Sequence, residues 1–257
     1  MDPLDFITFV AREAGTLLRE RLHDPREIAH KRRNDLVTDA DRASEALIVE
    51  RIRAAYPSAA ILGEEGGVYT GAGSERFIVD PLDGTSNYAH RYPVFCVSIA
   101  YEREGVLEAG AVYAPMSGEL FAAARGGTAT CNGEPMRVSG IERVTDAMVC
   151  TGFVPMRYER NAENFATLSR TAQAVRRDGS AALDLAYVAA GRFDAFWEFD
   201  LSPWDVAAGA VIIEAAGGSV TAIDGSLLDI NAGSILASNG ALHDEMRALL
   251  EPHVIRA

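Results

Sequence analysis

The chain has 257 residues, 48% hydrophobic and 24% charged, enough to bury a substantial core in one large domain or two small ones. Its formal net charge of −13 excludes non-specific binding to nucleic acid or to an anionic membrane surface. An acidic N-terminus without a basic leader, the lack of a long apolar run and three scattered cysteines (Cys96, Cys131, Cys150) predict a cytoplasmic protein with reduced thiols.

In chain order, residues 4–22 predict a helix, with Phe6, Phe9, Val10, Leu17 and Leu18 mostly on one stripe. The polar stretch Lys31-Arg32-Arg33-Asn34-Asp35 predicts a turn. A second helix is expected from Thr38, whose spacing to Asp41 resembles a capping box with Asp in place of Glu, and Pro57 stops it. Short strands are expected at 60–62 and 77–79. Strands at 94–101, 107–113 and 119–124, separated by turn residues, predict an antiparallel meander. Beyond about residue 140, strands (147–151, 174–176, 194–198, 219–222, 234–237) alternate with helices (161–171, 181–190, 203–216, 241–250). With no repeat or flexible linker, residues 1–257 read as one layered unit. Its sub-regions, about 1–140 and 141–257, are expected to meet at a cleft.

One loop concentrates the chemistry. Asp80-Pro81-Leu82-Asp83-Gly84-Thr85 follows the apolar Phe77-Ile78-Val79, so two carboxylates stand at a strand end within reach of one hard cation. Gly84 and Thr85 can turn backbone N–H groups toward an anion. A metal site and a phosphate site sharing one loop is the layout of a metal-assisted phosphatase. Further acidic groups fall at element ends: Glu64-Glu65, Asp205 after Trp204, and Asp35, Asp39 and Asp41. No histidine sits among them, and an all-oxygen set favours Mg²⁺, Mn²⁺ or Ca²⁺ over zinc. Each group has a plainer explanation: turn chemistry for Asp80–Asp83, a solvated turn for Glu64-Glu65-Gly66-Gly67, a helix start at Trp204-Asp205, a cap at 35–41. Their order and joint occurrence favour the site.

Over essentially its full length the chain resembles the inositol monophosphatase family of Mg²⁺-dependent, lithium-sensitive phosphatases. The resemblance lies in Gly63-Glu64-Glu65, in Asp80-Pro81-Leu82-Asp83-Gly84-Thr85-Ser86-Asn87-Tyr88 and in Trp204-Asp205-Val206-Ala207-Ala208-Gly209. The bacterial branch is indicated by Arg177-Asp178-Gly179-Ser180-Ala181-Ala182-Leu183-Asp184-Leu185-Ala186 and by Ala190-Gly191-Arg192-Phe193-Asp194. The resemblance implies a layered α/β sugar-phosphatase fold, with an antiparallel meander region and an α/β region. It implies one ion on Glu64, Asp80, the Leu82 carbonyl and the Thr85 hydroxyl, a second on Asp80, Asp83 and Asp205, and a third near Glu64, with Mn²⁺ as a substitute for Mg²⁺. Glu64, Thr85, Asp41 and Asp35 would activate the water. Asp83, Gly84, Thr85, Asp205, Glu198 and the Gly179–Ser180–Ala181 backbone would hold the substrate. Asp184 reads as structural, pairing Arg177 or a helix end, His90 as a structural hydrogen-bond donor, and the cysteines as buried small apolar residues.

The implied reaction is hydrolysis of inositol monophosphate, or a close polyol monophosphate, by direct attack of water and without a phosphoenzyme. A homodimer and inhibition by lithium are expected with it. The same ligand set serves fructose 1,6-bisphosphate, histidinol phosphate, NADP or phosphoadenosine phosphate. Some bacterial relatives act as protein partners of the transcription machinery, a reading of another class that stays open.

Overall fold

The computed structural model describes residues 1–24, 28–32, 35–153 and 159–254, with side chains over 1–24, 38–153, 159 and 161–250. Helix α1 (Pro3–Arg21) is capped by Asp2 and has Pro3 in its first turn, where a missing N–H costs nothing. Strands β1 (Ile28–Arg32) and β2 (Asp35–Thr38) form an antiparallel pair, so Lys31, Arg32 and Asp35 are strand residues where the sequence predicted a turn. Their polar, basic composition lacks the alternation that signals a half-buried strand. Helix α2 (Asp39–Ala55) starts as expected behind Thr38, which forms a reciprocal capping box with Asp41.

The meander half continues with β3 (Ala60–Gly63), β4 (Gly67–Tyr69), β5 (Glu75–Asp83), the short helix α3 (Thr85–Ala89), β6 (Cys96–Arg103), β7 (Val106–Ala114) and β8 (Glu119–Ala124). The short strands β9 (Thr130–Cys131) and β10 (Glu134–Pro135) close it. The second half runs β11 (Met148–Thr151), α4 (Glu159–Thr171), β12 (Ala174–Arg176), α5 (Ala181–Ala189), β13 (Ala195–Phe199), α6 (Pro203–Ala215), β14 (Ser219–Thr221), β15 (Ser234–Ser238) and α7 (His243–Val254). The expected helices and strands are present, with ends moved by a few residues. The β1–β2 pair, β4, α3, β9 and β10 were not anticipated.

An eight-stranded sheet has the order β10-β9-β8-β7-β6-β5-β3-β4, and a five-stranded sheet the order β12-β11-β13-β15-β14. Side chains alternate across each strand, and that period of two sorts the sequence into layers. Phe77, Val79, Val97, Ile99, Tyr101 and Tyr113 pack with α1 and α2 through Phe6, Ile7, Val10, Ile48 and Ile52. Their neighbours Ile78, Ala100, Val112 and Phe121 face the opposite way, onto α5 and α6 and the inner face of the small sheet at Phe196, Ile235 and Ala237. Trp197 and Leu236 point outward onto α4 and α7, at Leu168, Leu242, Met246 and Leu250. The result is a layered α/β sandwich: helices, sheet, helices, sheet, helices.

Helix α6 is buried along its length from Val206 to Ile213, as expected of a helix covered on both sides. It presses so closely on the large sheet that a Cβ at Gly110 would lie 2.4 Å from the Ala208 carbonyl oxygen. This middle layer brings Asp205, at the head of α6, and Ser180, at the head of α5, to the end of β5. Among the described residues no helix is long and apolar enough to cross a membrane.

Candidate active site

Strand β5 delivers the carboxylates. It pairs in parallel with β3 and antiparallel with β6, and its register against β6 shifts between Asp80 and Asp83. That irregularity lets Asp80 and Asp83 leave the regular alternation. Gly84 then turns the chain with φ 92°, and a Cβ there would lie 3.0 Å from the Val94 carbonyl oxygen, so glycine is required on two counts. Helix α3 starts at the next residue, Thr85.

Around this turn the structure gathers the predicted acids. Glu64 follows β3, with its N–H on the Val79 carbonyl at 3.2 Å. Asp80 is 2% exposed, with Oδ1 accepting the Leu82 N–H at 3.0 Å. Burial, and then the charges of Glu64, Asp83 and Asp205, push its carboxyl well above the usual range. Asp83 is also raised by burial, against hydrogen bonds that favour its charged form. Asp205 takes the Ser202 N–H at 2.7 Å in the first turn of α6. The helix-start explanation of Asp205 is therefore correct, and the same residue still faces the cleft.

Thr85 Oγ1 donates to Asp41 Oδ1 at 2.9 Å and lies 3.2 Å from the Leu82 carbonyl oxygen. The other oxygen of Asp41 accepts the backbone N–H and the hydroxyl of Thr38. Asp41 is wholly buried and its pKa is raised, chiefly by burial. The cap of α2 is thus wired to Thr85. Asp35 pairs with Arg32 in the β1–β2 ladder, and its side chain lies outside the described residues.

A cleft of about 270 Å³ opens over these groups. The first half of the chain contributes Glu64, Asp83, Gly84 and Thr85; the second contributes Gly179, Ser180, Ala181, Glu198 and Asp205. Asp80, Leu82 and Asp41 are buried and are not among the cleft-lining residues. Glu198, on β13, is 7% exposed, and burial followed by Asp205, Asp184 and Asp83 pushes its carboxyl well up. Arg177 is the one cation among the described lining residues.

Several positions correct or extend the sequence reading. Asp184 stands in the first turn of α5, the helix end expected of it, rather than in an ion pair with Arg177; the Cys150 thiol lies against it, and among the described residues its buried Oδ1 has no hydrogen-bond partner. His90 is exposed at the end of α3; Cys96 and Cys150 are buried as expected, whereas Cys131 is only partly buried. Glu45, unassigned from sequence, is 4% exposed and holds the Glu64 loop, accepting the Glu65 N–H at 2.9 Å and the Tyr69 hydroxyl at 3.2 Å. An acid at position 45, in register with Ile48 and Ile52 on the buried stripe of α2, was the available signal. Asn87 and Gly152 were also missed. Asn87 Nδ2 donates to the carbonyls of Val94 at 2.7 Å and Asp178 at 2.8 Å, tying α3 to the loop before α5.

The donors suit a small hard cation. Glu64, Asp80, Asp83, Asp205 and the Leu82 carbonyl offer only oxygen. The nearby Cys96 thiol is held protonated by burial. Clustered carboxylates that repel one another beside an open cleft can bind divalent ions and, through them, a phosphate.

The chain is similar to known proteins over nearly its whole length. Residues 2–254 match the family described as the inositol monophosphatase family. The Nus factor SuhB of Pseudomonas aeruginosa is 44% identical over 256 residues, covering 95% of this chain and 94% of that protein. The inositol-1-monophosphatase of Synechocystis sp. is 46% identical over 224 residues, 85% of this chain and 78% of that one. The solved inositol monophosphatase of Anabaena superposes with a TM-score of 0.87 at 42% identity, covering 97% of this chain and 95% of that chain.

Proposed function

Because the chain belongs to the inositol monophosphatase family and is a phosphoric monoester hydrolase, we propose that it hydrolyses inositol monophosphate, or a closely related polyol monophosphate, with Mg²⁺ at the carboxylate cluster. The observation that carries this reading is the gathering of four carboxylates at one place: Asp80 is buried at the end of β5 beside Glu64, Asp83 and Asp205, and burial first, then repulsion from those three, raises its pKa. Bound cations relieve that repulsion, and a non-enzyme has no need of it. Two or three Mg²⁺ ions, with Mn²⁺ as substitute, would supply the positive charge that draws in a phosphate and acidifies a water.

The chain's own residues do the rest. A proton leaving the attacking water passes to Thr85 Oγ while the Thr85 proton moves to Asp41, which Thr38 holds in place. Glu64 aims the water. Asp35 belongs to the same network on this reading. Gly84 and Thr85 hold the phosphoryl oxygens at the start of α3. The water oxygen bonds to phosphorus as the ester P–O bond breaks, and the departing alkoxide takes its proton from a second water beside Asp205. Glu198 and the Gly179–Ala181 backbone bind the substrate hydroxyls. No side chain acts as nucleophile. A homodimer and inhibition by Li⁺ belong to the same proposal.

Phosphate release from a panel of polyol, sugar and nucleotide phosphates, with Mg²⁺ titrated and LiCl added, tests it. Inositol 1-phosphate should be hydrolysed only with Mg²⁺ and more slowly with Li⁺. Background rates on inositol 1-phosphate beside strong release from fructose 1,6-bisphosphate, histidinol phosphate, NADP or phosphoadenosine phosphate would replace the substrate. A second reading has one observation behind it, the name Nus factor carried by the Pseudomonas relative. On that reading the chain binds a protein of the transcription machinery, and an Asp83→Asn variant would lose hydrolysis while keeping its cellular role.

A further inference from the structure

Helix α5 is not capped by the residue placed to cap it. Ser180 stands at its N-cap position with extended backbone (φ −146°, ψ 94°), yet its hydroxyl accepts no hydrogen bond from the helix's first turn. Asp83 takes that place from the other half of the chain. Its Oδ2 accepts the Ala182 N–H at 2.7 Å and the Ser180 hydroxyl at 2.8 Å. The Cys96 thiol lies against both, with Sγ 3.7 Å from Asp83 Oδ2 and 3.6 Å from Ser180 Oγ. These side chains are mostly buried at the floor of the cleft: Cys96 is 0%, Ser180 1% and Asp83 9% exposed.

Two consequences follow from the geometry. An anion sits at the positive end of a nine-residue helix, where the helix dipole favours it. With Oδ2 held by two strong donors, the carboxylate cannot rotate freely, and Oδ1 is the oxygen left for an ion. Partners behind a metal ligand fix its orientation, and losing one typically weakens metal binding about ten- to a hundredfold.

We propose that Ser180 is a positioning residue that pins Asp83 to the head of α5, so that ion binding at Asp83 and substrate seating at the α5 head are linked. The inference rests on the reading of Asp83 as an ion ligand. Linkage of this kind is reciprocal: whatever tightens the ion tightens the substrate. The hydroxyl of Ser180 acts here, in addition to its backbone facing the cleft.

The test is Mn²⁺ titration of the metal-stripped full chain, read by the electron paramagnetic resonance of free Mn²⁺, with KM for inositol 1-phosphate measured alongside. Ser180→Ala should weaken Mn²⁺ binding at one site about tenfold or more and raise KM with it. Ser180→Thr, which restores a hydroxyl, should return both toward wild type. Ser180→Cys, a weaker donor of similar size, should fall between and serves if the alanine variant does not fold. Wild-type Mn²⁺ affinity in Ser180→Ala, or in Ser180→Cys where alanine fails, overturns the proposal even if melting in EDTA is lowered. A wild-type protein that binds no Mn²⁺ overturns the reading of Asp83 itself, so the two failures are distinguishable.

Discussion

Glu198 illustrates the conflict that single residues carry in this cleft. Among the described residues nothing donates a hydrogen bond to it, and burial with three neighbouring acids raises its pKa. A carboxyl whose folded pKa is raised favours the folded state when protonated. Its contribution is complete below the ordinary value of 4.5 and is lost as pH rises through the raised one. Glu198→Gln removes the charge. In EDTA the variant should melt above wild type at pH 8, by roughly 2–4 °C per kcal/mol gained, with the gap closing toward pH 5. A gap independent of pH would contradict this origin. Gly152 guards the same carboxylate, because a Cβ there would lie 2.1 Å from Glu198 Oε2. Gly152→Ala should displace Glu198 and raise KM for a polyol monophosphate about tenfold, the scale of one lost hydrogen bond to a charged group. Unchanged kinetics would remove Glu198 from substrate binding.

Whole elements explain why part of the site was legible in the sequence. The α2 cap could be read from Thr38 and Asp41 alone, because a capping box is a local pattern. What it serves could not: Asp41 meets Thr85 across 44 residues, and only the fold, or a family resemblance, joins them. Thr38→Ala should cost about 0.5–2 kcal/mol of stability as a lost cap. It should also lower activity measured well below the melting temperature, since Asp41 loses a donor. Loss of stability with full activity would separate the cap from the chemistry. Strands such as β5 to β8 were visible because both faces are buried and their residues apolar. The β1–β2 pair was not, because its residues are polar, and α3 was hidden behind the left-handed turn at Gly84. Glu45 and Asn87 escaped for another reason: they hold the loops that carry the site through contacts to distant segments, and no local pattern names those partners.

At the scale of the molecule, five layers place the acidic end of β5 against the heads of α5 and α6, which come from the other half of the chain. The alternation of strands and helices announced a layered α/β fold, whereas the stacking of two sheets about a central helical layer follows from long-range packing. That packing concentrates negative charge in a chain already at −13. Divalent ions should therefore stabilise the protein as well as activate it. Mg²⁺ at a hundred times its dissociation constant should add about 2.7 kcal/mol for one site, seen as a melting point several degrees above that in EDTA. No shift would mean that the cluster binds no Mg²⁺ in the folded state. The role of the carboxylate cluster is tested most directly by the initial rate of phosphate release from inositol 1-phosphate as Mg²⁺ is raised, for wild type and Asp83→Asn. Metal-dependent hydrolysis at this cluster requires no release in EDTA, a rate that climbs with Mg²⁺, and a loss on the order of a hundredfold in a variant that still folds. Release that persists in EDTA, or that survives Asp83→Asn, would contradict it.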